Sequence, residues 1–433
     1  RAGEVGRVAK MGAASYIDEQ LAASLEEDDV LKLRLHSIEV FGTDAIEMRD
    51  LQEREVLRQL QKAAFLRAVY SRNQLQERMI DFWSNHFNIY ARKGLGAYFT
   101  PRDQENVIRR HALQSFPDLL RASAHSPAML SYLDNQVNRR GVATENYARE
   151  LMELHTLGVR GGYTQKDVQE VARCFTGWTV EDRFLRRRGT FRFDAQAHDN
   201  GPKTVLGVRI PAGGGQSDGD RVLDILAAHP STAHFIAGKL CRFFLGSAEA
   251  LWTQRLARIY RQTHGDIKAM LRPLLLSDEL LASPPTIKRP FDFMVSALRA
   301  LNADTDGDAA LQKHLTAMGQ GLYLWPMPDG YPDRTASWTG SLLARWNFAL
   351  ALAFSDIKGT SVNLSALVKD QDASKALSEI VWSRRFDEAT AQRISGVIPV
   401  LDVAIDETNE AAKSAHLAQT TALLLCAPEF QWR

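Results

Sequence analysis

The strongest constraint in this sequence is helical periodicity. From about residue 14 to 130, apolar residues recur at spacings of three and four through successive segments with short connectors. The stretch ERMIDFWSNHFNIYARKG, residues 77–94, is the sharpest case. Met79, Phe82, Trp83, His86, Phe87 and Tyr90 all fall on one helical stripe. A stripe that apolar has to be buried against other elements. The chain is therefore expected to be mainly α, a large multi-helical domain.

The clearest exception is RGTFRFDAQAHDNGPKTVLGVRI, residues 188–210. Thr190 to Phe193 alternate polar and apolar, Asp199-Asn200-Gly201-Pro202 is a turn cluster, and TVLGVRI reads as a second strand. This predicts a small β-hairpin or ribbon inserted between helical halves. PAGGGQSDGD follows as a mobile loop, without the Gly-Lys-Ser/Thr of a phosphate cradle. Asp220 is expected to cap the helix RVLDILAAH. In YLWPMPDGYPDRTASW, residues 323–338, Pro326, Pro328 and Pro332 exclude a regular helix. Helices resume at about Gly340. The expected organisation is residues 1–180, a ribbon and loop over 181–215, and residues 216–433, integrated as one domain.

Composition excludes several classes. Net charge is +1 over 433 residues, so no global field draws nucleic acid. No run approaches the roughly 20 apolar residues of a membrane span. The three cysteines, Cys174, Cys241 and Cys426, form no C-x-x-C pair, which argues against a disulfide framework or a cysteine zinc site. Asp304, Asp306 and Asp308 resemble a calcium loop, but Ala309 and Leu315 stand where glycine and glutamate are required. The basic run RFLRRRG, residues 183–189, reads as a solvated loop. The first residue is Arg, so the chain is expected to be processed or trimmed, with any targeting segment upstream.

The chemistry concentrates in TENYARELMELHTLGVRGGYTQKDV, residues 144–168. At helical pitch Asn146, Arg149, Glu150 and Glu153 share one stripe, beside an apolar stripe of Tyr147, Leu151 and Leu154. Gly158 or Gly161-Gly162 ends this helix, and Thr164 to Asp167 is a capping box for the next. Two glutamates one turn apart can split into an acid and an ionised partner, and Arg149 can orient an anionic group. The same stripe can equally be a solvated face. His86 is either a core histidine bonded to a carbonyl or a base paired with a glutamate. His198-Asp199, beside Lys203, is either turn chemistry or a pair closing over the site. Trp325, Tyr331 and Trp338 are either a platform for sugar rings or anchors for the Pro-rich loop.

Several blocks together resemble a bacterial family catalogued as domain of unknown function 1800. They are GEVGRVAKMG, DFWSNHF, ENYARELMELHTLGVRGGYTQKDVQEVARCFTGW, AHDNGPKTVLG, HPSTAHFIAGKL and LLLCAPEFQWR, in order along nearly the whole chain. Ser84 stands where that family often has histidine, and the Pro-rich loop matches only loosely. The resemblance implies an exported protein, periplasmic or extracellular, with a sulfatase-like neighbour as a possible partner. It adds weight to a functional cluster at Asn146, Arg149, Glu150 and Glu153. The leading expectation is a hydrolase-type enzyme acting on envelope or extracellular polysaccharide. There Glu150 or Glu153 is the acid/base, His86, His198 and Asp199 assist, and Asn146, Arg149, Lys203, Trp325, Tyr331 and Trp338 hold substrate. The alternative is a non-catalytic envelope scaffold or partner-binding protein. A third option gathers His86, His198, Asp199 and a glutamate around a divalent metal.

Overall fold

The tryptophan helix forms over Gln74–His86 in the computed structural model, which describes residues 4–22, 24–43, 45, 47–182, 189–368, 373–382 and 410–432. Its stripe is buried as the spacing requires, with Leu75, Met79, Phe82, Trp83 and His86 all inside. Trp83 donates its indole N–H to the Ala112 carbonyl at 3.0 Å. Phe82 meets Phe243, on the helix Pro230–Leu245, at a ring separation of 5.0 Å. Full burial of such a side chain contributes about 1.5–3 kcal/mol. The opposite face carries Glu77, Asp81, Ser84 and Asn85, and looks towards the long helix Glu53–Tyr70.

One contiguous cluster of buried apolar residues runs from Leu21 to Phe430. Phe65 of the helix Glu53–Tyr70 packs edge-on against Phe291 of the helix Pro290–Ala300, 5.2 Å apart. Near the C-terminus, Glu410–Cys426 lies against Leu342–Ala353. Cys174 is fully buried, and that burial pushes its thiol up to about 12. The protein is mainly α, with small antiparallel ribbons. No described helix is long and apolar enough to cross a membrane.

The ribbons correct the hairpin expected over residues 188–210. Strand β1 (Trp178–Val180) pairs with β2 (Phe191–Phe193), while β3 (Lys203–Val205) pairs with β4 (Val208–Ile210). TVLGVRI is therefore folded on itself. Leu206 and Gly207 both take positive φ, 48° and 78°, the combination a tight two-residue turn between twisted strands requires. A third ribbon joins β5 (Asp304–Thr305) to β6 (Thr360–Ser361). The helix expected to start after Asp220 starts earlier, at Ser217. Asp220 lies in its first turn, where negative charge is favourable, and pairs with Arg121 at 2.7 Å. Of the basic run RFLRRRG, residues 183–188 lie outside the described residues. The Pro-rich stretch is irregular until the 3₁₀ turn Thr335–Ser341.

Asp103 ends the helix Gly96–Asp103 and opens a π turn over Gln104–Arg109. Its carboxyl is buried, accepts from the Ser126 hydroxyl at 2.6 Å, and leaves Oδ2 without a partner among the described residues. Burial pushes it from 3.8 up to about 7. The folded state thus keeps a proton that the unfolded chain releases, and stability falls as pH rises from about 4 through 7. Asp103→Asn should remove that slope. We expect the variant to exceed wild type by roughly 4 kcal/mol above pH 7 and to match it near pH 4, in urea titrations.

Candidate functional site

The signature helix runs as α-helix over Asn146–Glu150 and then widens into a π turn over Leu151–Thr156. The Thr156 hydroxyl donates to the Leu151 carbonyl at 2.7 Å, and the Leu157 amide to the Met152 carbonyl at 2.9 Å, each five residues back. The wider turn changes which side chains face inward. Met152, His155 and Thr156 are buried, whereas Leu154 is only half-buried, against the expectation at α pitch. Gly158 ends the helix at φ 79°, where a Cβ would come within 2.8 Å of the Phe235 ring. The capping box then forms as read: the Thr164 amide donates to Asp167 at 2.8 Å and the Asp167 amide to the Thr164 hydroxyl at 3.2 Å. Asp167 also accepts from the Leu206 amide at 2.8 Å, which ties the β3–β4 turn to this helix.

The four polar residues of the stripe have different fates. Asn146 is exposed and donates to the Leu133 carbonyl and to Asp134, both at 3.3 Å. Arg149 is shared among Glu145 at 3.0 Å, Gln165 at 2.9 Å and Glu153 at 3.5 Å. Its guanidinium is therefore already committed to the protein. Glu153 also faces the Tyr163 hydroxyl, which burial and the nearby carboxylate hold protonated. Glu150 is half-buried and makes no hydrogen bond or ion pair among the described residues. Burial raises its carboxyl above the usual range, and the charges of Glu153 and Asp329 raise it further, against the opposing pull of Arg149.

Asp329 comes from the Pro-rich loop and is within electrostatic reach of Glu150. The loop is fastened by Asn88, which donates to the carbonyls of Trp325 at 3.0 Å and Met327 at 2.7 Å. Tyr132 donates its hydroxyl to the Pro326 carbonyl at 2.8 Å. Its phenol is raised by burial and by the charges of Glu150 and Asp329. Trp325 donates its indole N–H to Asp329 at 3.0 Å. Lys239, on the helix Pro230–Leu245, is within electrostatic reach of Asp329 and Asp333. It too has no hydrogen bond or ion pair among the described residues. Burial brings its ammonium down to about 8. Glu150 and Lys239 are thus a carboxyl and an amine both drawn towards neutrality, and each is within electrostatic reach of Asp329. The tyrosines, Asp329 and Lys239 were not singled out from the sequence.

The other expected site residues lie elsewhere. His86 is buried among Phe82, Trp83, Phe87 and Phe116, with Nε2 3.1 Å from the His155 carbonyl. Burial holds its imidazole neutral, with the charge of Lys239 adding to the effect. It does not hydrogen-bond to either glutamate. His198 is likewise buried, with Nε2 3.1 Å from Asp218 and Nδ1 2.7 Å from the Thr176 carbonyl. Lys203 is buried with it, donating to Asp218 at 2.5 Å and to the Asp199 carbonyl. Asp199 itself pairs with Arg173 at 2.8 Å, which lowers its carboxyl to about 2. The ribbon therefore does not bring His198 and Asp199 over the glutamates. Opposite charges with buried partners pull these groups inward, and together they brace the ribbon against the helix Ser217–Ala228. His86, His198 and Asp199 do not share one donor set, and no described group of three or more His, Cys, Asp or Glu is placed to hold a metal ion.

The aromatic residues of the Pro-rich loop form a ladder. Trp325 and Tyr331 are 4.9 Å apart, and Tyr331 and Trp338 6.0 Å. Tyr331 and Trp338 are buried, and their polar atoms are used internally, by the carbonyls of Gly321 at 2.6 Å and Pro332 at 3.0 Å. They anchor the loop. Trp325 alone remains half-exposed beside Asp329.

Fold and site together define a mainly helical protein with a carboxylate-bearing π turn and a Pro-rich loop whose Asp329 acts electrostatically on Glu150. The chain belongs to the family of proteins of unknown function DUF1800, whose family model matches residues 1–432. No curated protein and no solved structure matches it.

Proposed function

We propose that the chain is an acid–base catalyst of the hydrolytic type, with Glu150 as the proton-donating and proton-accepting group. The observation that carries this reading is the state of Glu150: half-buried, unpartnered among the described residues, and held towards its protonated form by burial and by Glu153 and Asp329. A carboxyl left in that condition destabilises the fold, and function is the ordinary reason for retaining one. Glu153 supplies the second carboxylate, and Lys239 a second group that titrates near neutrality. Half-exposed Trp325 offers a flat apolar face for a sugar ring beside these groups. The substrate class that suits a carboxyl pair and an aromatic face is a glycan, for which an envelope or extracellular polysaccharide is our choice. Action outside the cytoplasm goes with that choice.

The test is a panel of bacterial envelope and plant glycans, incubated with wild type and Glu150→Gln and assayed for new reducing ends. Release by wild type that Glu150→Gln abolishes supports the reading. Release undiminished in Glu150→Gln contradicts it.

A second reading, a non-catalytic envelope module that binds a partner such as a sulfatase-like protein, is favoured by the burial of His86, His198, Lys203, Tyr331 and Trp338. It expects no release from any glycan, and loss of partner capture when Asp329 and Trp325 are replaced.

A further inference from the structure

We propose that a second cleft, on the polar side of the tryptophan helix, binds a neutral sugar ring through the Tyr323 hydroxyl, Gln104, Ser84 and Asp81. The cleft lies between the helices Glu53–Tyr70 and Gln74–His86, the π turn Gln104–Arg109 and the start of the Pro-rich loop. Its cavity volume is about 70 Å³, and its mouth opens to solvent.

The charges in the cleft are already matched. Arg109 makes a two-pronged pair with Glu77, 2.8 Å on each arm. Arg67 is held by Glu27 at 2.7 Å and by Glu105, and Asp81 by Arg289. An ionic ligand would have to compete with these pairs. What remains is a set of uncharged donors and unused acceptors. The Tyr323 hydroxyl makes no hydrogen bond among the described residues. Its backbone sits at φ 63°, unusual for a non-glycine residue, and its carbonyl is fixed by the Ala91 amide at 3.0 Å. Gln104 is 7% exposed; its carbonyl oxygen accepts from Ser84 at 2.7 Å, and its amide NH₂ has no described partner. The second oxygen of Asp81 is also unused among the described residues.

Donors and acceptors side by side suit hydroxyls, which do both. Apolar walls from Leu60, Ala64, Phe291 and Leu322 suit the C–H face of a ring. The ring could belong to a free monosaccharide or to the end of a glycan chain. This site shares no residue with the Glu150 site, so the two proposals stand or fall separately.

The experiment is calorimetric titration of the purified chain with neutral monosaccharides and with oligosaccharides ending in the same rings. Saturable binding of a panel member is expected, weakened about tenfold by Tyr323→Phe. Stronger binding of the oligosaccharides would assign a chain end, and equal binding a free sugar. If Tyr323→Phe does not fold, Ser84→Ala carries the test with the same expected loss. Absence of saturable binding across the panel overturns the proposal. So does binding that the folded variants leave unchanged.

Discussion

Lys203→Met is expected to destabilise the protein by about 3–5 kcal/mol, measured as a lower urea midpoint at unchanged slope. The reason is the partner left behind. The Lys203 side chain has no exposed surface, and its ammonium meets Asp218, itself 2% exposed, at 2.5 Å. Removing the cation leaves a buried carboxylate with His198 as its remaining side-chain partner at 3.1 Å. Replacing both members, as Lys203→Met with Asp218→Leu, should recover part of the loss, because the desolvated charge then disappears with its partner. A change below about 1 kcal/mol in the single variant would place these groups in contact with water. The same geometry commits Lys203 and His198 to Asp218, while the Asp199 carboxylate is paired with Arg173.

Glu150→Gln is expected to act in opposite directions on activity and stability. Loss of a general acid typically costs 10²–10⁴-fold in rate, and a loss of that order is expected for glycan release. Stability should change the other way. The Glu150 carboxyl is raised in the folded protein, so its contribution is fully present below 4.5 and is lost as pH rises through the folded value. At neutral pH, Glu150→Gln removes an unfavourable buried charge, and the melting temperature should rise. Near pH 4 the variant and wild type should melt alike. Glu153→Gln adds a second check. It removes one of the charges that raise Glu150, so the decline of activity with increasing pH should move to lower pH.

Much of the fold could be read from the sequence, for local reasons. The stripe from Met79 to His86, the capping box Thr164–Asp167 and the helix break at Pro326, Pro328 and Pro332 all depend on residues a few positions apart. The π turn was not legible, because periodicity assumes one pitch; at that pitch Leu154 goes inside, whereas the wider turn buries His155 and Thr156. Strand pairing was also hidden. Three-residue strands carry little pattern, and β2 finds its partner back in β1 across the segment that holds the basic run. The site was half legible. Its glutamates stood out as a stripe, but Asp329 comes within reach of Glu150, and Lys239 within reach of Asp329, only through tertiary folding. The cleft's Tyr323, Gln104 and Asp81 come from three distant segments and leave no local signal.

The proposed acid–base role requires a Glu150 carboxyl held towards protonation in the folded protein. Its most direct test is a ¹³C-carboxyl NMR titration, with Glu150→Gln identifying the resonance. The expected midpoint lies above the ordinary value of 4.5 and moves down when Glu153 is replaced by Gln. A midpoint at or below 4.5, unmoved by that replacement, would contradict it.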